Sequence, residues 1–262
     1  MLNLKKVFVA TSLLASSTLT FAASDEDKGL QLAQLADQVD SGWVDQTVDI
    51  TMTLQDRAGN QNIRKVRNEM LEVEDDGDKS LVVFDTPYDV KGTVMLSFSH
   101  KVGDDDQWLY LPALKRVKRI SSSNKSGPFM GSDFAYEDMS SQEVEKYTYK
   151  FIREDEFEGQ AVNVVERTPV YENSGYSKQL VWLDKKRTIP LQIEYFDRKG
   201  SALKTQHFKG YQLYNERFWC VDDLLMVNHQ KGTQTTISFG NYNISQGVRL
   251  TNFAQANLSR IR

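Results

Sequence analysis

The spacing of apolar residues changes once along the chain, from a helical period to a strand period. Leu30, Ala33, Ala36 and Val39 recur at helical spacing with Leu32 and Leu35 beside them, which predicts one amphipathic helix over about 28–40. From Val44 the period is two: Val44, Gln46, Val48, Ile50, Met52 and Leu54 share one face, and Asp45, Thr47, Asp49, Thr51 and Thr53 share the other, a half-buried strand. Turn signals then punctuate the chain, among them Ala58-Gly59-Asn60, Asp75-Asp76-Gly77, Glu158-Gly159 and Arg198-Lys199-Gly200. The runs between them, such as 80–84, 93–99, 107–111, 146–152, 160–166, 178–183, 191–196 and 235–239, are rich in β-branched and aromatic residues. About ten strands joined by short turns predict an antiparallel meander, and curling around a helix would dispose of both its edges and its apolar face.

Two runs are apolar on both faces. Trp108 and Tyr110 oppose Leu109 and Leu111, and Met95 opposes Val94, Leu96 and Phe98. Both faces need cover, either from packed core and loops or from a guest in an apolar lumen. The one long irregular stretch, 121–138, turns from a polar start to Phe129, Met130, Phe134 and Tyr136, with Met139 beyond. Such a segment is either a movable apolar gate or a surface loop pinned by its own aromatics. Lys115, Arg116, Lys118 and Arg119 place charge on both faces of a short strand, the pattern of a solvated edge or of a contact with an anionic head group or acidic partner.

Composition narrows the chemistry. Lys5 and Lys6, an apolar run over 7–21 and small residues at Ala22 and Ala23 form the pattern of a secretory signal cut after Ala22, which predicts a soluble, non-lipidated periplasmic protein of one domain over 23–262. The formal net charge of −4 argues against a general nucleic-acid binder. Cys220 is the only cysteine, so internal disulfides and multi-cysteine zinc sites are excluded. The three histidines are scattered, no nucleophile elbow or paired-histidine metal motif is present, and the acidic clusters at 74–76, 104–106 and 222–223 read as turn charges. Carboxylates such as Glu137 and Asp138 are those that a hydrolase of envelope lipids or glycans would use. The expectation is a non-enzyme with no cofactor and no metal.

Several motifs carry a family resemblance. They are Phe84-x-x-Pro87, Lys91-Gly92-Thr93, Asp106-x-Trp108-x-Tyr110-Leu111-Pro112, Lys115-Arg116-x-x-Arg119-Ile120 and Gly131-Ser132-Asp133-Phe134-x-Tyr136-Glu137-Asp138. Tyr176-Ser177-Lys178, Trp182-x-Asp184 and Tyr195-x-Asp197 follow. With these the chain resembles the LolA-like outer-membrane lipoprotein-sorting proteins, in a branch distinct from the general lipoprotein carrier. The resemblance implies a mainly β fold with a helical lid, an incomplete antiparallel β-barrel of the LolA/LolB type wrapped around helices. It also implies a periplasmic carrier or chaperone that binds acyl chains of a lipid or lipoprotein for transport towards the outer membrane. Relatives often lie beside exporters of the resistance-nodulation-division (RND) type, so the rival is an accessory that docks on such an exporter without holding lipid. Leu96, Phe98, Trp108, Leu111, Phe129, Met130, Phe134, Tyr136 and Met139 are then the expected cavity or lid residues, and Lys115, Arg116, Lys118 and Arg119 the head-group or partner contact.

Overall fold

The computed structural model describes residues 23–261, so the expected signal segment, 1–22, lies outside the described residues. The first element of the described residues is helix α1, Asp25–Asp40, which starts three residues earlier than the apolar stripe predicts. Ser24 caps it: its Oγ accepts from the Asp27 amide at 3.0 Å, and the Ser24 amide donates back to the Asp27 carboxylate at 3.3 Å. Among the described residues no helix is long and apolar enough to cross a membrane.

Fifteen strands follow: β1 Asp45–Gln55, β2 Gln61–Leu71, β3 Lys79–Thr86, β4 Val94–Phe98, β5 Asp106–Leu111, β6 Arg116–Ile120, β7 Tyr147–Phe157, β8 Gln160–Pro169, β9 Tyr176–Asp184, β10 Pro190–Asp197, β11 Ala202–Lys209, β12 Gln212–Tyr214, β13 Phe218–Cys220, β14 Asp223–Asn228 and β15 Thr233–Ile244. Thirteen of them form one antiparallel sheet in the order β6-β5-β4-β3-β2-β1-β15-β14-β11-β10-β9-β8-β7. The remaining pair, β12 and β13, forms a small separate ribbon. The sheet is not closed: β6 and β7 are its two edges, so the architecture is a mainly β, open sheet with one α-helix among the described residues. The period-two reading of the first strand holds from Val48 to Met52, with Val48, Ile50 and Met52 buried, but not at its start, where Val44 is exposed and Asp45 buried.

This order has a topological consequence. The chain enters at the middle of the sheet, runs outward to β6, and must then reach the opposite edge at β7 before returning inward to pair β15 with β1. The segment between β6 and β7 is therefore committed to crossing the sheet, and its buried aromatics place it in the apolar core cluster with Val48, Phe84 and Ile193.

The other face of the β3–β5 wing is covered differently. The C-terminal segment, with short 3-10 turns at Leu250–Phe253 and Gln255–Arg260, packs Phe253 and Leu258 against Leu81, Val83, Val94 and Leu96, with Phe98, Trp108 and Tyr110 beside them. Strands β4 and β5 are apolar on both faces because both faces are packed.

Candidate functional site

The crossing segment is fixed in place by the residues of its motif. Phe129 and Phe134 are 0 % and 2 % exposed; Phe129 stands 5.9 Å from Phe84 and meets Tyr136 edge-on at 5.6 Å. Each polar residue of the motif has a partner. Ser132 Oγ donates to the Phe129 carbonyl at 2.7 Å, and Thr233 and Thr235 donate to the Asp133 carboxylate at 2.6 and 2.9 Å. Ser174 Oγ, the Gly175 amide and Tyr171 Oη donate to Glu137 at 2.8, 2.8 and 3.1 Å. Lys204 Nζ, itself 3 % exposed, donates to Asp138 at 2.6 Å and to the Asp133 carbonyl at 2.9 Å, and Tyr176 Oη adds a bond to Asp138 at 2.8 Å. The segment is thus a bolted plug that fills part of the hollow of the sheet.

The rest of the hollow is open. A cavity of about 1040 Å³ lies under α1, at the upper end of the range of small-molecule pockets. Its apolar wall comes from the second half of the sheet: Val165, Val181, Leu183, Ile193, Phe208 and Leu224. Ala33, Ala36 and Val39 of α1 close it from above, and Trp219 and Cys220 of the β12–β13 ribbon stand at its side. The helix can lie so low because Gly29 has no side chain: a Cβ there would sit 2.7 Å from the Lys150 and Phe151 amide nitrogens of β7.

The rim is acidic. Asp37 and Asp40 reach it from α1, Glu72 and Asp78 from the β2–β3 connection, and Glu143 from the segment before β7. Glu143 is pushed up to about 7, first by burial and then by the charge of Asp78, with Lys146 pulling the other way. Asp40 is raised to about 7 by the protein enclosing it and by Asp78 and Asp37, although its side chain keeps surface open to the cavity. Burial and then Asp40 push the Cys220 thiol up to about 11, which makes it an unreactive wall group. Among the described residues no three His, Cys, Asp or Glu side chains are placed to hold a metal ion.

None of the nine residues expected at the cavity or lid lines this space. Phe129 and Phe134 belong to the core, with Leu111, Met130, Tyr136 and Met139 packed against it. Leu96, Phe98 and Trp108 lie in the cluster under the C-terminal segment. Lys115 sits in the turn before β6, while Arg116, Lys118 and Arg119 lie along that exposed edge strand, Arg119 paired with Asp106. The wall residues of β8–β11 are those that sequence reasoning missed. Their signal was present in Val162–Val165 and Leu180–Leu183, runs apolar on both faces like β4 and β5. The Glu137–Asp138 pair, the candidate hydrolytic carboxylates, is occupied by hydrogen bonds on all four oxygens.

A family model described as an uncharacterized protein matches residues 76–260. No curated protein matches the chain. Among solved structures, an outer membrane lipoprotein-sorting protein domain from Vibrio parahaemolyticus is 48% identical, with a TM-score of 0.88, over 90% of this chain and 100% of its own. A DUF1329 family protein from Desulfovibrio piger is 30% identical, with a TM-score of 0.86, over 90% of this chain and 100% of its own. A LolA superfamily protein from Nitrosomonas europaea shares the fold at 16% identity, with a TM-score of 0.70, over 90% of this chain and 99% of its own.

Proposed function

Because the chain belongs to the LolA-like outer-membrane lipoprotein-sorting protein family, we propose that it is a carrier that takes up acyl chains of a lipid or lipoprotein in the cavity under α1. The observation that carries this reading is the open, apolar-walled space of about 1040 Å³ that the protein's own side chains leave unfilled. A chain with a dozen buried methylenes gains roughly 10 kcal/mol of gross driving force, at about 0.8 kcal/mol per methylene, before ordering costs. No bond is broken in this role, and no group in the cavity is assigned to catalysis.

Helix α1 is the lid in this proposal. It touches the sheet chiefly at β7 and reaches the core only through Leu32, Ala36 and Val39, so it can move at the cost of those contacts alone. The domain, residues 23–262, works in the periplasm after the signal-like segment 1–22 has been removed. Contact with an RND-type exporter falls on the exposed basic edge strand β6, away from the cavity. An accessory that docks there without holding lipid is the competing reading.

Native mass spectrometry of the protein purified from envelope extract separates the two. A carrier retains adducts of lipid mass, and Ala33→Trp, which places an indole in the cavity from the helix side, reduces them at least several-fold while the fold is kept. Absence of adducts, together with no binding of any long-chain probe, would overturn the carrier reading.

A further inference from the structure

The rim of the cavity holds carboxylates that Lys101 and Lys146 influence by charge without forming an ion pair with them. Glu143 is only 8 % exposed and lines the cavity, yet among the described residues its side chain accepts no hydrogen bond and makes no ion pair. Asp37 and Asp40 across the rim, both exposed, likewise have no hydrogen-bond or ion-pair partner among the described residues. Their neighbours differ: Glu72 accepts from the Gly42 and Val44 amides at 2.6 and 2.8 Å, and Asp78 from the Val73 amide at 3.2 Å and from Ser141 Oγ at 3.2 Å. The nearby lysines are engaged elsewhere, Lys146 with Asp105 and Lys101 with the Glu74 carbonyl at 3.2 Å. Arg167, the cation deeper in the wall, donates to Gln179 at 2.6 Å and lies over the Tyr147 ring.

A buried carboxylate without a partner is costly, and retaining Glu143 at an opening that the exposed Asp37 and Asp40 share calls for a charge brought from outside. Their spread does not bring three of them onto one metal ion. An ammonium group, with three donors pointing to different sides, matches several separated acceptors better than a single point of coordination does. The carboxylates stand where the head of a guest would sit if its chain lay along Val181, Leu183 and Ile193.

We infer that the cavity selects long-chain amphiphiles whose head carries an ammonium group, held by Glu143, Asp40 and Asp37 at the rim. This rests on the reading of the cavity as an acyl-chain site and names the head chemistry that the site admits. The same geometry disfavours an anionic head, which would meet the rim charges at short range.

Calorimetric titration of the purified protein with decylammonium, decanol and decanoate at neutral pH tests the inference. The ammonium compound should bind about tenfold more tightly than the alcohol, and the carboxylate more weakly than either. Asp40→Asn combined with Glu143→Gln should bring decylammonium down to the level of decanol while leaving decanol unchanged, which also reports that the variant is folded. Equal affinities for the three heads, or tighter binding of decanoate, would overturn the ammonium preference and leave the carrier reading standing. Failure of all three probes to bind would overturn both. An ammonium can belong to an aminolipid or to a lysine beside an acylated residue. Lysophosphatidylethanolamine and an acylated lysine peptide, each against its N-acetylated form, separate these sources: acetylation weakens binding of the true cargo type, and no weakening in either pair overturns the inference.

Discussion

Lys204 shows how much one buried side chain decides here. It is 3 % exposed, lies over the Tyr176 and Tyr195 rings, and holds Asp138 and the Asp133 carbonyl of the crossing segment. Lys204→Ala leaves the Asp138 carboxylate buried with only neutral donors, which should cost about 3–5 kcal/mol in a urea melt. Lys178→Ala removes a pair with Glu166 that is more open to water, 39 % and 24 % exposed, and should cost less than about 1 kcal/mol. If the two variants melt alike, the plug is not held by its buried pair. Phe134, 2 % exposed in the same plug, is a folding residue on this account, so a charge placed there would report on stability before it reported on lipid. The motif from Gly131 to Asp138 was legible in the sequence as a motif. Its purpose was not, because the partners Ser174, Lys204, Thr233 and Thr235 lie far along the chain and no local spacing announces them.

Helix α1 was legible in type and face: Ala33, Ala36 and Val39 do point into the hollow as their spacing predicts. Its start was not read, although Ser24-x-x-Asp27 is a capping pair in plain view. Leu30 belongs to the same stripe but is 39 % exposed, while Gly29 beside it is buried in close approach against β7. That approach yields a prediction in which two effects oppose each other. Alanine is the better helix former by roughly 1 kcal/mol, so propensity alone would make Gly29→Ala stabilising. A methyl 2.7 Å from the β7 backbone must instead push the helix away, and backbone cannot yield as a flexible side chain would. The expected net result is destabilisation by about 1–3 kcal/mol with weaker retention of bound chains, read by thermal melting and by adduct mass in parallel. A more stable Gly29→Ala protein would mean that the helix has slack over β7 and is not seated on it. Strand β6 was equally legible, since its three basic residues fit the exposed edge it forms.

What the sequence could not disclose was which half of the sheet stays hollow. Strand runs apolar on both faces occur in both wings, and only the path of the chain from one edge to the other places the plug, and so assigns the remaining volume to β8–β11. Leaving that volume open under a rim of carboxylates has a price in stability that depends on pH. Glu143 ionises at its ordinary 4.5 in the unfolded chain and at about 7 in the folded one. Between those values the folded protein holds a proton that the unfolded chain has released, so stability falls as pH rises and the loss is complete above the folded value. For this buried group the loss is at most roughly 3 kcal/mol, each tenfold change in proton affinity being worth about 1.4 kcal/mol. Asp40, raised to about 7, acts in the same direction. His100 does so too, because its bonds to Asp76 and Asp106 outweigh burial and raise it, a gain that is present when protonated and lost as pH rises. His207, lowered by burial, works in the opposite sense within this window, and Asp76, lowered to about 2 by its bond to His100, does so only at far lower pH, so the raised Glu143, Asp40 and His100 set the net slope. The protein should therefore melt at a higher temperature near pH 5 than near pH 8, and Glu143→Gln, which cannot ionise, should flatten that slope without lowering the stability at the higher pH. A bound ammonium would act at the same place by supplying the missing counter-charge, so decylammonium should recover stability most at the higher pH, where the rim is ionised. A melting temperature that does not change across this range, with or without the amine, would mean that the rim carboxylates are already solvated or paired and that the opening places no demand on its guest.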